Sequence, residues 1–183
     1  YSSVSGTIIA QTYDEDGNVV TYMEEYDYDE DGIIDESFYY EYDSAGNVIY
    51  STSSYDYDGD GIIDESSIYI AAYDENGNRT SATSEQDLDG DGIIDFVQDV
   101  SNTYDEQGNI ITESYSEDVD GDGSIDYSYD ASYTYTDNVL VSESYDIDQD
   151  GDGSTDESVT YTYEYDSNGS FVSETSEYDL DFD

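Results

Sequence analysis

Val159, Tyr161, Tyr163 and Tyr165 occupy alternate positions, with Thr160, Thr162 and Glu164 between them. Tyr129, Ala131, Tyr133 and Tyr135 repeat the pattern against Ser128, Asp130, Ser132 and Thr134. Successive side chains of a strand point to opposite faces, so a period of two predicts half-buried strands and not helices. These segments run into a Y-D-x-x-G-N element that starts at Tyr13, Tyr42, Tyr73 and Tyr104, recurs in degenerate form at Tyr135 (YTDN) and returns at Tyr165 (YDSNGS). In Asp43-Ser44-Ala45-Gly46 an Asp holds the first place and Gly the fourth of a type I turn. Val48 and Ile49 follow at once, so the element predicts a hairpin. Segments after the turns, such as Val48-Ile49-Tyr50 and the Ser and Thr beyond it, are poorer in apolar residues and are expected to be more exposed.

A second element, D-x-D-x-D-G-x-x-D, starts at Asp27, Asp56, Asp87, Asp118 and Asp148. It follows the turn element by 14 residues four times and by 13 once, and a truncated copy, Asp179, Asp181 and Asp183, follows Tyr165. Successive turn elements lie 29 to 31 residues apart. Self-similarity at a fixed period marks a repeat architecture. The expected fold is therefore all-β: tandem antiparallel hairpin repeats, about six units of 31 residues linked by aspartate loops, in one elongated array over 1–183. Residues 1–12 form an N-terminal strand in this reading, and no linker marks a second domain.

Composition complicates the picture. Among 183 residues there are 50 acidic and one basic, Arg79, with no His, giving a net charge of −49. Val, Ile, Leu and Phe make up about 18% of the chain, and that fraction at such charge is a composition of disordered proteins. The 24 tyrosines argue the other way, because Tyr is a strong strand former. Something must neutralise the charge before the chain compacts. So acidic a surface excludes sequence-independent binding to nucleic acid or anionic membrane. Without Cys or His there is no disulfide, no thiolate nucleophile and no ordinary zinc or copper site. Strong aliphatics run at most two or three together, so no segment inserts into a bilayer.

The aspartate loops carry the chemistry. Carboxylates at positions 1, 3 and 5 converge only if the chain turns sharply, which Gly at position 6 permits; the position-7 carbonyl and position-9 carboxylate then complete an oxygen cage. The sets are Asp27, Asp29, Asp31, Asp35; Asp56, Asp58, Asp60, Asp64; Asp87, Asp89, Asp91, Asp95; Asp118, Asp120, Asp122, Asp126; and Asp148, Asp150, Asp152, Asp156. Asp179, Asp181 and Asp183 form a partial sixth. Carboxylates about 5 Å apart repel by roughly 3 kcal/mol per pair at an effective dielectric constant of about 20, so the geometry requires a cation. Calcium suits such a cage better than magnesium, which demands a strict octahedron and keeps its waters. Mere surface acidity is the competing explanation, but it gives no reason for Gly and Asp to hold register across five copies.

The loops resemble EF-hand calcium loops over positions 1 to 9. They depart at position 12, where that family's bidentate Glu is replaced by Phe38, Ser67, Gln98, Tyr129 and Val159. With strand formers on both sides, they are more similar to the aspartate loops of thrombospondin type 3 repeats and dockerin-like segments. The Y-D-x-x-G-N elements, as in Tyr73 to Thr83 (YDENGNRTSAT), resemble the YD repeats of Rhs and teneurin-type proteins. That resemblance implies tandem hairpins building a long spiralling sheet with a structural, encapsulating or surface role.

Two function classes follow. The first is an extracellular or cell-surface structural protein, stabilised by about five calcium ions and a partial sixth, forming a filament, stalk or layer with copies of itself. The second is a calcium-dependent adhesin or glycan-binding module, for which the Tyr stripes offer a stacking platform. Catalysis is not expected: no acid breaks the repeat, as a catalytic pair with one raised pKa would, and no nucleophile motif occurs. The chain begins at Tyr1, as a processed product or segment would. Its end is in phase with its beginning, so head-to-tail stacking is expected, with residues 1–13 of one copy continuing the sheet of another; a closed six-unit ring is the competing closure. Two glycosylation sequons, at Asn78 and Asn168, lie just after hairpin turns.

Overall fold

The computed structural model describes residues 7–180, and all regular structure among them is β-strand. The chain divides into two compact units between Val97 and Gln98. In the first, β1 (Thr7–Tyr13), β2 (Val19–Tyr26), β3 (Glu36–Tyr42), β4 (Val48–Tyr55), β5 (Glu65–Tyr73) and β6 (Arg79–Asp87) form a meander, each antiparallel to the next. Strand β7 (Phe96–Tyr104) straddles the division. In the second unit, β8 (Ile110–Asp118), β9 (Tyr127–Thr136), β10 (Val139–Asp148), β11 (Glu157–Tyr165) and β12 (Phe171–Leu180) repeat the meander. The all-β tandem hairpin architecture is as the periodicity predicts. Of the N-terminal strand expected over residues 1–12, residues 7–12 belong to β1, and residues 1–6 lie outside the described residues.

The Y-D-x-x-G-N elements are type I turns that end in a left-handed Gly. Gly46 N–H donates to Asp43 O at 3.1 Å with Gly46 at φ 88°, and Asp43 N–H donates to Asn47 O at 2.9 Å. The Asp43 carboxylate accepts from Ala45 N–H at 2.8 Å, Asn47 N–H at 2.9 Å and the Asn47 side-chain amide at 2.9 Å. These bonds, the Asn47 side chain first, hold the Asp43 carboxyl below the ordinary carboxylate range. Asn78 is tied the same way to Asp74 at 2.9 Å, so the first sequon's amide already has a structural partner. After the turn the register slips by one residue: Tyr42 opposes Val48 while Glu41 opposes Tyr50, which leaves Ile49 as a bulge. The same slip recurs beside Tyr13, Tyr73 and Tyr165. The degenerate element at Tyr135 closes differently. Asp137 and Asn138, at φ 51° and 66°, form the two-residue loop of a type I′ hairpin.

The core is thin. Among the described residues the buried hydrophobic side chains are Ala71, Ala82, Ala131 and Val159, with Ala71 and Ala82 facing each other across β5 and β6. Elsewhere aromatic rings meet in cross-strand pairs, such as Tyr22–Tyr40 at 6.1 Å and Phe38–Tyr55 at 5.8 Å. The alternation read from β9 holds: Tyr129, Ala131, Tyr133 and Tyr135 are half-buried or buried while Asp130, Ser132 and Thr134 are exposed. The expected contrast between strands before and after the turns does not hold at β4, which is half-buried along its whole length. Ring contacts explain it, since Tyr39–Tyr50 and Phe38–Tyr55 cover β4 from its neighbour β3.

With one basic residue in the chain, strand-face glutamates take phenol hydroxyls as partners. Tyr22 and Tyr26 both donate to Glu24, Tyr39 to Glu41 at 2.9 Å, and Tyr163 to Glu143 at 2.5 Å. The bond to Glu24, then burial, pushes Tyr26 up to about 12. A phenol whose folded pKa lies above its unfolded value of about 10 stabilises the fold fully below pH 10, and that contribution is lost as pH rises through the folded value. We therefore expect β-structure to survive to about pH 10 and to fall away above it, with delayed phenolate absorbance appearing in the same step. A phenolate titration complete near pH 10 with the far-UV spectrum unchanged would contradict these hydrogen bonds.

Candidate metal centres

Each aspartate loop joins one hairpin to the next, and its ends are tied by the backbone. The position-9 N–H donates to the carbonyl of the residue before position 1, as Asp64 to Tyr55 and Asp95 to Gln86, both at 2.8 Å. Inside the loop every Asp has a fixed backbone donor. In the second loop Asp56 accepts from Gly59 N–H at 2.8 Å and Gly61 N–H at 2.7 Å. Asp58 accepts from Asp60 N–H at 3.2 Å, Asp60 from Ile62 N–H at 2.9 Å, and Asp64 from Tyr57 N–H at 2.7 Å. The position-6 glycine supplies the turn, with Gly61 at φ 86°. These N–H groups occupy only part of each carboxylate's acceptor capacity, so lone pairs remain for a further partner.

Five triplets result, each offering carboxylate oxygens within 4.8 Å of one another: Asp27, Asp29, Asp35; Asp56, Asp58, Asp64; Asp87, Asp89, Asp95; Asp118, Asp120, Asp122; and Asp148, Asp150, Asp156. Asp56, Asp87 and Asp118 are buried. Four triplets draw on positions 1, 3 and 9, and one on positions 1, 3 and 5. Asp31, Asp60, Asp91 and Asp152 stand outside the triplets; they accept the position-7 N–H at 2.8 to 2.9 Å, as Asp122 does within its triplet at 2.8 Å. Asp126 also stands outside and accepts Val119 N–H at 2.7 Å. Asp179 is an exposed residue of β12, while Asp181 and Asp183 of the partial sixth loop lie outside the described residues.

The donor set fits a hard cation. All the converging atoms are carboxylate oxygens, the ligand type of calcium, magnesium or manganese sites. In the first loop Asp27 Oδ1 is buried and accepts no hydrogen bond. In the four loops with Gly at position 4, the corresponding oxygen receives that glycine's N–H, as Asp87 does from Gly90 at 2.7 Å. An orphaned buried carboxylate oxygen costs stability, and a bound cation is the partner that would relieve it.

Position 4 has a role that the aspartate spacing does not reveal. Glu30, Gly59, Gly90, Gly121 and Gly151 all sit there at φ 66 to 71°. A left-handed conformation alone does not demand Gly, since Glu30 adopts it. Packing does at Gly90, where a Cβ would lie 2.1 Å from Ile63 O and 2.9 Å from Asp64 Cα of the preceding loop. At Gly151 it would lie 1.7 Å from Ile125 O. Loops thus seat on one another within each unit, and Asp56 N–H donates to Asp35 O at 2.8 Å as a further tie. The legible signal was the G-D-G triplet, present in four loops and absent from the first, although at Gly59 a Cβ would meet nothing within 4 Å.

No protein-family model and no curated protein matches the sequence. Among solved structures the chain is similar to a porin-like protein from Bacteroides vulgatus ATCC 8482, with a TM-score of 0.47 and 10% identity over 96% of this chain and 92% of that one.

Proposed function

We propose that the chain is a calcium-stabilised structural repeat protein that works outside the cell or at its surface, assembling with copies of itself into a filament, stalk or layer. The observation that carries this reading is the set of five aspartate triplets, each at the junction of consecutive hairpins and each within 4.8 Å. A cation there neutralises charge where the chain most needs it and fixes one hairpin against the next. Calcium is the proposed ion because flexible carboxylate cages accommodate its variable coordination, and extracellular modules bind it at about 10⁻⁴–10⁻³ M. Assembly is supported by β1 and β12, where Ile8, Ile9, Phe171 and Val172 are exposed and where, among the described residues, each strand pairs on one side only, β1 with β2 and β12 with β11. Such strands can pair with another chain.

Sedimentation and negative-stain microscopy with calcium and then with chelator test the assembly. Large particles that dissolve in chelator support it, and a monomer at every calcium concentration contradicts it. One observation favours the adhesin or glycan-binding alternative, of which a closed six-unit ring is one form. Tyr28 and Tyr57, at position 2 of the first two loops, are exposed and line a cleft of about 310 Å³ with Asp29, Glu36 and Asp58. Calcium-dependent retention on a glycan surface, abolished by Tyr57→Ala, would shift the reading to that class.

A further inference from the structure

We propose that Tyr161 and Tyr178 are a site of oxidative cross-linking, where a dityrosine bond staples β11 to β12. The two phenol oxygens lie 3.1 Å apart and the rings 6.3 Å apart at 83°. Val159 opposes Tyr178 and Tyr161 opposes Ser176, so the tyrosines are diagonal neighbours on one face of the hairpin. Tyr178 is 58% exposed, open to an oxidant too large to enter a core. Tyr133 and Tyr145 also bring their hydroxyls to 3.5 Å, but both are half-buried, and Tyr129 and Tyr163 donate to Glu113 and Glu143. The chain's chemistry leaves little else. With no Cys and no Lys it can form neither disulfides nor lysine isopeptide bonds, while it carries 24 tyrosines.

Phenols couple through the ring carbons ortho to oxygen, which adjoin the carbons bearing the two touching hydroxyls. A peroxidase-type one-electron oxidant removes one electron from each phenol, and water takes the two phenolic protons. The two phenoxyl radicals form one carbon–carbon bond, and each ortho hydrogen moves to its ring's oxygen to restore the phenol. Hydrogen peroxide is the final acceptor and leaves as two waters. The product is lighter than the reduced chain by two hydrogens. Strand β12 is exposed along nearly all its length, so a covalent tie fixes it to β11, and it restricts the unfolded chain as any cross-link does.

This inference stands apart from the calcium reading, and the full chain in calcium, folded by far-UV dichroism, is the sample. It is treated with peroxidase and peroxide, cleaved after glutamate and mapped by mass spectrometry. The expected product is a monomer in which the peptide 158–164 is joined through Tyr161 to the peptide starting at Tyr178. It should be lost in Tyr161→Phe and in Tyr178→Phe, kept in Tyr133→Phe, and accompanied by a higher urea midpoint in the treated wild type. Coupling that is absent, scattered over other tyrosines, or wholly between chains overturns the proposal. Should a Phe variant lose its far-UV spectrum, the wild-type map decides alone.

Discussion

In excess chelator the chain is expected to lose most of its β-structure, and calcium near 1 mM to restore it. Among the described residues the buried apolar side chains are three alanines and one valine, and no side chain is less than 2% exposed. Burial on that scale offsets little of the ordering entropy of a chain this long. Against it stands a net charge of −49, with carboxylates in each loop held within 4.8 Å. Each such pair costs roughly 3 kcal/mol at an effective dielectric constant of about 20, and the loops lie where one hairpin meets the next. A cation that binds the folded loops and not the unfolded chain converts its binding free energy into folding free energy. Far-UV dichroism and thermal melts against free calcium check this. Equal spectra and equal midpoints after exhaustive chelation would contradict it.

Gly90→Ala is expected to cost far more than Gly92→Ala, although the two glycines are two residues apart in one loop. Both have left-handed φ, 71° and 83°, so each Ala bears a conformational penalty of about 1–2 kcal/mol. A Cβ at Gly92 meets nothing within 4 Å, whereas one at Gly90 meets the Ile63 carbonyl at 2.1 Å. Backbone cannot swing aside as a side-chain tip can, so the two loops must separate, and the total reaches roughly 3 kcal/mol or more. Gly151→Ala against Gly153→Ala repeats the comparison at Ile125. Urea midpoints of the four variants in saturating calcium decide the matter. Equal losses within each pair would mean that the loops do not press on one another.

What could be read in the sequence was what local rules fix. The stripe Tyr129, Ala131, Tyr133, Tyr135 and the Asp43–Gly46 turn need only a strand's period and a glycine's freedom, and both stand as read. The aspartate triplets were legible because five copies share one spacing. What escaped depends on neighbours distant in the chain. Gly90 answers to a carbonyl 27 residues earlier, at Ile63. The pairing of Tyr163 with Glu143 depends on how β11 meets β10, and β4 is covered by rings from β3. Asp137-Asn138 was legible in principle, since Asp and Asn tolerate the left-handed region that a two-residue hairpin needs.

If the aspartate loops are specific calcium sites, the number of ions bound per chain shows it most directly. Isothermal titration of the chelator-stripped chain should give about five calcium ions per chain, one for each triplet. The Asp56→Ala, Asp58→Ala double variant should bind one fewer, and magnesium at equal concentration should not substitute. Fewer than about one ion per chain at 1 mM calcium, or a count unchanged in the double variant, would contradict the account.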